Sequence, residues 1–141
     1  MPSSNSDSSG RAIAAAEESA PKTAIILIGH GSPRPTWRAP LDELAQDLGG
    51  AEAGIHLAFM EHCSPTLHEM ARACVNQGVG QIMVLPLFIS SGGHVNRDIV
   101  KQLEEVRLAL PELVLEQLPA FGELTMIRQA LGSFLTSLMA R

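Results

Sequence analysis

The chain has 141 residues, 45% of them hydrophobic and 18% charged, which is one domain's worth of sequence with enough apolar material for a proper core. Four Phe, one Trp and no Tyr leave that core to Leu, Ile, Val, Ala and Met. A net charge of −5 argues against nucleic acid or an anionic membrane as partner, and no apolar run approaches the roughly 20 residues of a bilayer span.

Residues 1–22 are set apart by composition. Met1-Pro2-Ser3-Ser4-Asn5-Ser6 and the serines after it cannot bury apolar surface, so a disordered tail is expected, with a marginal helical turn over 11–18. The tail lacks the basic start and longer apolar stretch of a secretory signal, and the expectation is a cytoplasmic protein. Residues 23–141 are expected to form a single domain.

Within that domain strand and helix patterns alternate. The β-branched apolar run 23–28 is a strand covered on both faces. Leu41, Leu44, Ala45 and Leu48 then recur at helical spacing over 40–48, and Gly49-Gly50 ends the helix. A second strand spans 55–60. Ser64-Pro65 reads as an N-cap and first helical residue, ahead of a stripe of Leu67, Met70, Ala71, Cys74 and Val75. The third strand is 81–87. A helix over 95–110 turns Ile99, Leu103, Val106 and Leu110 inward and stops at Pro111. Residues 113–118 make a fourth strand, and 125–139 a closing helix with Ile127, Ala130, Leu131, Phe134 and Leu138 inside. The sum is (βα)₄, an α/β fold with a mostly parallel four-stranded sheet and helices on both faces.

Residues able to do chemistry sit where these strands end. His30, in Gly29-His30-Gly31-Ser32, follows the first strand, Glu61 closes the second, and His94 follows the third through Ser90-Ser91-Gly92-Gly93. Open parallel sheets bind ligands beyond the carboxyl ends of their strands, so two imidazoles and a carboxylate reach one edge. Such a set suits proton transfer or a divalent ion such as Fe(II), Co(II) or Ni(II). No phosphate-loop or dinucleotide signature surrounds His30, which speaks against a phosphate-binding or regulatory domain. Cys63 and Cys74 match neither a redox pair nor a zinc knuckle and read as buried reduced thiols. His56 reads as a structural or surface residue within its strand. His62 should point away from Glu61 if strand alternation continues. His68 and Trp37 have packing roles as their simplest readings, and Lys101-Gln102-Leu103-Glu104-Glu105 is most simply a solvated face.

From residue 23 to the C-terminus the chain resembles the small class II tetrapyrrole chelatases, the sirohydrochlorin cobaltochelatases of CbiX type and the related ferrochelatases. The resemblance rests on Gly29-His30-Gly31-Ser32, on Phe59-Met60-Glu61 followed by Pro65, and on the long stretch from Leu85-Pro86-Leu87-Phe88 through Gly92-Gly93-His94-Val95-Asn96-Arg97. It implies a three-layer chelatase-like fold and insertion of Co²⁺, Fe²⁺ or Ni²⁺ into sirohydrochlorin, for cobalamin or siroheme synthesis. It implies no permanently bound cofactor, His30 and His94 as metal ligands with Glu61 as their carboxylate, and a homodimer. The anionic arms of such a substrate would meet Ser32, Arg34, Arg38, Ser90, Ser91, Gly92, Gly93 and Arg97, with Lys101 nearby. Many relatives carry arginine one position nearer the histidine than Arg34, which Pro33 displaces. A non-catalytic metal or tetrapyrrole carrier using the same residues is the alternative.

Overall fold

The computed structural model describes residues 22–141, so the 1–21 portion of the serine-rich segment, with its expected helical turn, lies outside the described residues. The first strand already begins at Lys22, one residue inside the expected tail. In chain order the elements are β1 (Lys22–Gly29), α1 (Ala39–Asp47), β2 (Ile55–Phe59), α2 (Leu67–Asn76), β3 (Val79–Pro86), α3 (Gly93–Ala109), β4 (Val114–Gln117) and α4 (Thr125–Met139). Short 3₁₀ turns at Gly50–Ala53 and Phe121–Glu123 precede β2 and α4.

All pairings are parallel and the strand order is β2-β1-β3-β4. The chain therefore leaves β1 in one direction to reach β2, then crosses back past it to β3. That reversal opens a crevice between the carboxyl ends of β1 and β3, the topological switch point where open sheets bind ligands.

Strand alternation sorts the apolar residues between two faces. Ala24, Ile26, Ile28, Ala58, Ile82, Val84 and Leu115 turn toward α2 and α3 and meet Leu67, Ala71, Cys74, Ile99, Leu103 and Val106. Each fully buried aliphatic side chain contributes about 1.5–3 kcal/mol to this larger core. On the opposite face Leu27, Leu57 and Phe59 pack beneath Leu41 and Ala45 of α1, with Trp37 at the margin.

Two expectations about helices are corrected. α2 is capped not by Ser64-Pro65, which forms a cis peptide bond in the preceding loop, but by Thr66. The Thr66 hydroxyl accepts from Glu69 N at 3.2 Å and Thr66 N donates to Glu69 Oε1 at 3.2 Å, a capping box that satisfies two orphan backbone donors. The second correction concerns α4. It has the apolar spacing of a helix packed on its sheet, yet none of its residues is buried. Leu131, Phe134 and Leu138 are 57%, 58% and 41% exposed, and among the described residues its main packing is against the Phe121–Glu123 turn. On the α1 side of the sheet, the part over β3 and β4 is open: Val114 is 57% exposed. Among the described residues α4 has no sheet face beneath it, and this stretch of sheet has no helix above it.

Candidate functional site

Backbone hydrogen bonds continue past the ends of the strands and hold the loops in register. Met60 N donates to Gly29 O and Glu61 N to His30 O, at 2.9 and 3.0 Å. On the other side of β1, Leu87 N donates to Ile28 O at 2.9 Å. His30 and Glu61 are thus paired through their main chains, while their side chains stand exposed at the rim. Gly31 makes this approach possible. Its φ is +95°, and a Cβ there would run into the carbonyl group of Glu61.

The β1–α1 loop is clipped to the β2–α2 loop by Cys63. Its thiol donates to Ser32 O at 3.0 Å and accepts from Ser32 N at 3.4 Å. The Ser32 hydroxyl accepts from Arg34 N at 3.2 Å and so shapes the loop. Cys63 is half-buried rather than buried; both cysteines are free thiols, and burial pushes the Cys74 thiol up.

The His30 ring packs on Phe88, centroids 4.7 Å apart and tilted by 56°, which places the imidazole at the β1/β3 crevice. Beyond Phe88, Ile89 stands 80% exposed and leads into Ser90, Ser91 and the Gly92 cap of α3. Ser91 N donates to Glu123 Oε1 at 3.0 Å, and the Ser91 hydroxyl to the same oxygen at 3.4 Å. Gly122 N donates to Phe88 O at 2.9 Å, and a side chain on Gly122 would strike the Ile89 backbone. The turn before α4 is therefore the buttress of the His94 loop. His94 lies exposed in the first turn of α3, and Arg97 folds back toward Gly93.

The expected site residues do reach one edge, but on separate loops. Among the described residues no group of three His, Cys, Asp or Glu side chains comes close enough together to hold a metal ion. His62 does not turn away from Glu61, because strand geometry ends at Phe59 and His62 adopts a left-handed φ of 64°. Its Nε2 lies 3.8 Å from Glu61 Oε1. Of the expected cations, Arg34 and Arg97 are exposed, and so is Lys101. Arg38 is committed elsewhere: it forks onto Asp42 at 3.0 and 3.2 Å, donates to Ser64 O at 2.8 Å, and lies over the Phe59 ring. The hydrogen bond to Asp42 holds its pKa above the ordinary arginine value.

Other expectations resolve as packing. Trp37 meets Phe59 edge-on at 5.9 Å. His56 is half-buried, and desolvation lowers its pKa. His68 sits against Arg72 of its own helix at 3.3 Å. Three further residues support the site: Cys63, expected only as a buried thiol; Glu123; and Gln102, which is not on a solvated face but half-buried beside the core residue Leu103 and donates to Met60 O at 3.2 Å. Nothing in their spacing connects them to it, since each acts across more than 30 residues of chain.

The chain is thus a parallel α/β sheet protein with the His30 ring at its β1/β3 switch point. The chain belongs to the CbiX family, whose model matches residues 24–137. It is 37% identical over 83 residues to a sirohydrochlorin cobaltochelatase of Methanopyrus kandleri, an alignment covering 57% of each protein. The chain thus spans little more than half the length of that relative. In fold it is similar to a putative cobalamin biosynthesis CbiX protein of Marinobacter aquaeolei, with a TM-score of 0.72 at 24% identity, over 85% of this chain and 97% of the other. The cobalt complex of the sirohydrochlorin chelatase SirB from Bacillus subtilis subspecies spizizenii is 29% identical, with a TM-score of 0.56. That likeness covers 68% of this chain and 42% of SirB.

Proposed function

We propose that the protein is a sirohydrochlorin chelatase, inserting Co²⁺ or Fe²⁺, and by the same chemistry Ni²⁺, into the free-base macrocycle. The observation that carries this reading is His30 at the β1/β3 crevice, its ring against Phe88 and opposite the loop that leads to His94. Insertion exchanges the ion's waters for four ring nitrogens and releases two pyrrole protons. Imidazole is suited to both tasks, since it ligates borderline divalent metals and exchanges a proton near neutral pH. In this reading His30 and His94 receive the ion and take the pyrrole protons, and Glu61 beside His62 passes them to solvent. Metal and tetrapyrrole are substrates, and no resident cofactor takes part.

The anionic arms of the substrate meet Arg34, Arg97, Ser90, Ser91 and the backbone at Gly92 and Gly93. Ser32 shapes its loop through Arg34 N, and Arg38, held by Asp42 and Ser64, is a buttress rather than a substrate contact. The test is anaerobic absorbance of sirohydrochlorin with each metal. Acceleration over the uncatalysed control with one metal is expected. Stoichiometric metal or tetrapyrrole binding without acceleration would replace this reading with a carrier.

The unpartnered helix supports a homodimer. Phe134 and Leu138 are exposed on α4, and among the described residues nothing covers the sheet beside Val114, so a second copy satisfies both. Phe134→Glu combined with Leu138→Glu is expected to convert a wild-type dimer to monomer in sedimentation velocity. A wild type that sediments as monomer at tens of micromolar would remove the proposal. The chain's free thiols suit a reducing compartment such as the cytoplasm, and no described helix is long and apolar enough to cross a membrane.

A further inference from the structure

We propose that Arg128 is a substrate-binding residue, the cation that receives one carboxylate arm of the tetrapyrrole at the far side of the His94 loop. The inference rests on the chelatase reading. A groove of about 510 Å³ runs between that loop and α4, lined by Ile89, Ser90, Glu123, Arg128, Leu131 and Leu135 among others. It adjoins the candidate site along the chain: Ile89 and Ser90, which line it, belong to the loop that runs from Phe88, the residue packed on His30, to His94.

The walls are apolar and open, with Ile89 80% and Leu131 57% exposed. A flat macrocycle edged with carboxylates needs that combination, an apolar wall for the ring edge and a cation at the rim. Arg128 supplies the cation. Among the described residues no carboxylate lies within ion-pair distance of it. The one acid in the groove, Glu123, is already accepting from Ser91 N and Oγ. Arg38 and Arg107, by contrast, have guanidinium groups taken up by Asp42 with Ser64 O and by Leu115 O. Nor does the helix account for Arg128, since a cation in the first turn works against the helix dipole. Arg34 and Arg97 stand by the loops of His30 and His94, so Arg128 adds an anchor at a separate edge of the ring.

The test compares wild type, Arg128→Gln and Arg128→Lys, full chain and in their native oligomeric state. Insertion is followed with sirohydrochlorin and then Co²⁺ as the varied substrate, and metal-free sirohydrochlorin binding is titrated by absorbance. For Arg128→Gln the KM for sirohydrochlorin and the Kd of the metal-free complex are expected to rise about tenfold, the scale of one charge-assisted contact. The KM for Co²⁺ and the Tm should stay at wild-type values, and Arg128→Lys should recover part of the affinity. Sirohydrochlorin affinity within twofold of wild type, in an active enzyme, overturns the role of Arg128 and leaves the chelatase reading standing. Equal losses toward both substrates with a lowered Tm make Arg128 structural and overturn it too. A wild type that neither binds sirohydrochlorin nor accelerates insertion overturns the chelatase reading, and this inference with it.

Discussion

On the proposed chelatase reading, His30→Ala is expected to slow metal insertion by about two to four orders of magnitude, the range lost when a positioned acid or base is removed. That corresponds to about 3–5 kcal/mol of transition-state stabilisation. The side chain is exposed, and among the described residues its recorded partner is the Phe88 ring, so its removal should leave the denaturation midpoint close to wild type. Rate and stability therefore separate. A fall in kcat with an unchanged denaturation curve is the expected pair of results, read by anaerobic absorbance and by urea titration. An alanine variant inserting metal at a rate within a few-fold of wild type would remove His30 from the mechanism. The protons would then have to leave through Glu61 and His62, whose side chains lie 3.8 Å apart on the neighbouring loop.

That neighbouring pair shows where sequence reading stops. The strands were legible because continuous apolar runs such as Ile25-Ile26-Leu27-Ile28 have no other use in a chain of this composition. Their parallel pairing was legible from the strand–helix alternation. The order β2-β1-β3-β4, which sets the switch point beside His30, was not, because crossovers fix handedness and leave open on which side of β1 each strand lies. The orientation of His62 was not legible, because it depends on a left-handed backbone residue that alternation cannot anticipate. The helix cap is written in the sequence, where two signals compete. Thr66 with Glu69 three residues on is the capping-box pattern, and Ser64-Pro65 offered a rival signal two residues earlier.

Arg38 carried its own warning in the i, i+4 spacing to Asp42, a geometry that ties up the guanidinium before any substrate arrives. The failure at α4 is of another kind. Apolar residues at helical spacing show that a helix buries one face, and they are silent on whether the buried partner belongs to the same chain. Phe134 and Leu138 have the spacing of a core helix and the exposure of an interface.

The second large effect is expected at a residue with no side chain. Gly31→Ala should destabilise the protein by about 2–4 kcal/mol and reduce insertion at least as severely as the loss of His30. Two independent penalties act there. The φ of +95° is one that an L-residue adopts only with strain. The new methyl would also overlap the carbonyl group of Glu61, whose carbon lies 2.8 Å from the Cβ position and whose oxygen lies closer still. Backbone, unlike the end of a long side chain, can relieve that overlap only by moving the whole β2–α2 loop. Such a shift breaks the bond from Glu61 N to His30 O and pulls Cys63 away from Ser32. One methyl group thus displaces His30, Glu61 and the thiol clip together. Urea denaturation and the insertion assay on the same preparation measure both losses. A Gly31→Ala protein with wild-type stability and rate would mean that the loops are free to separate, and that their close pairing is not what positions His30.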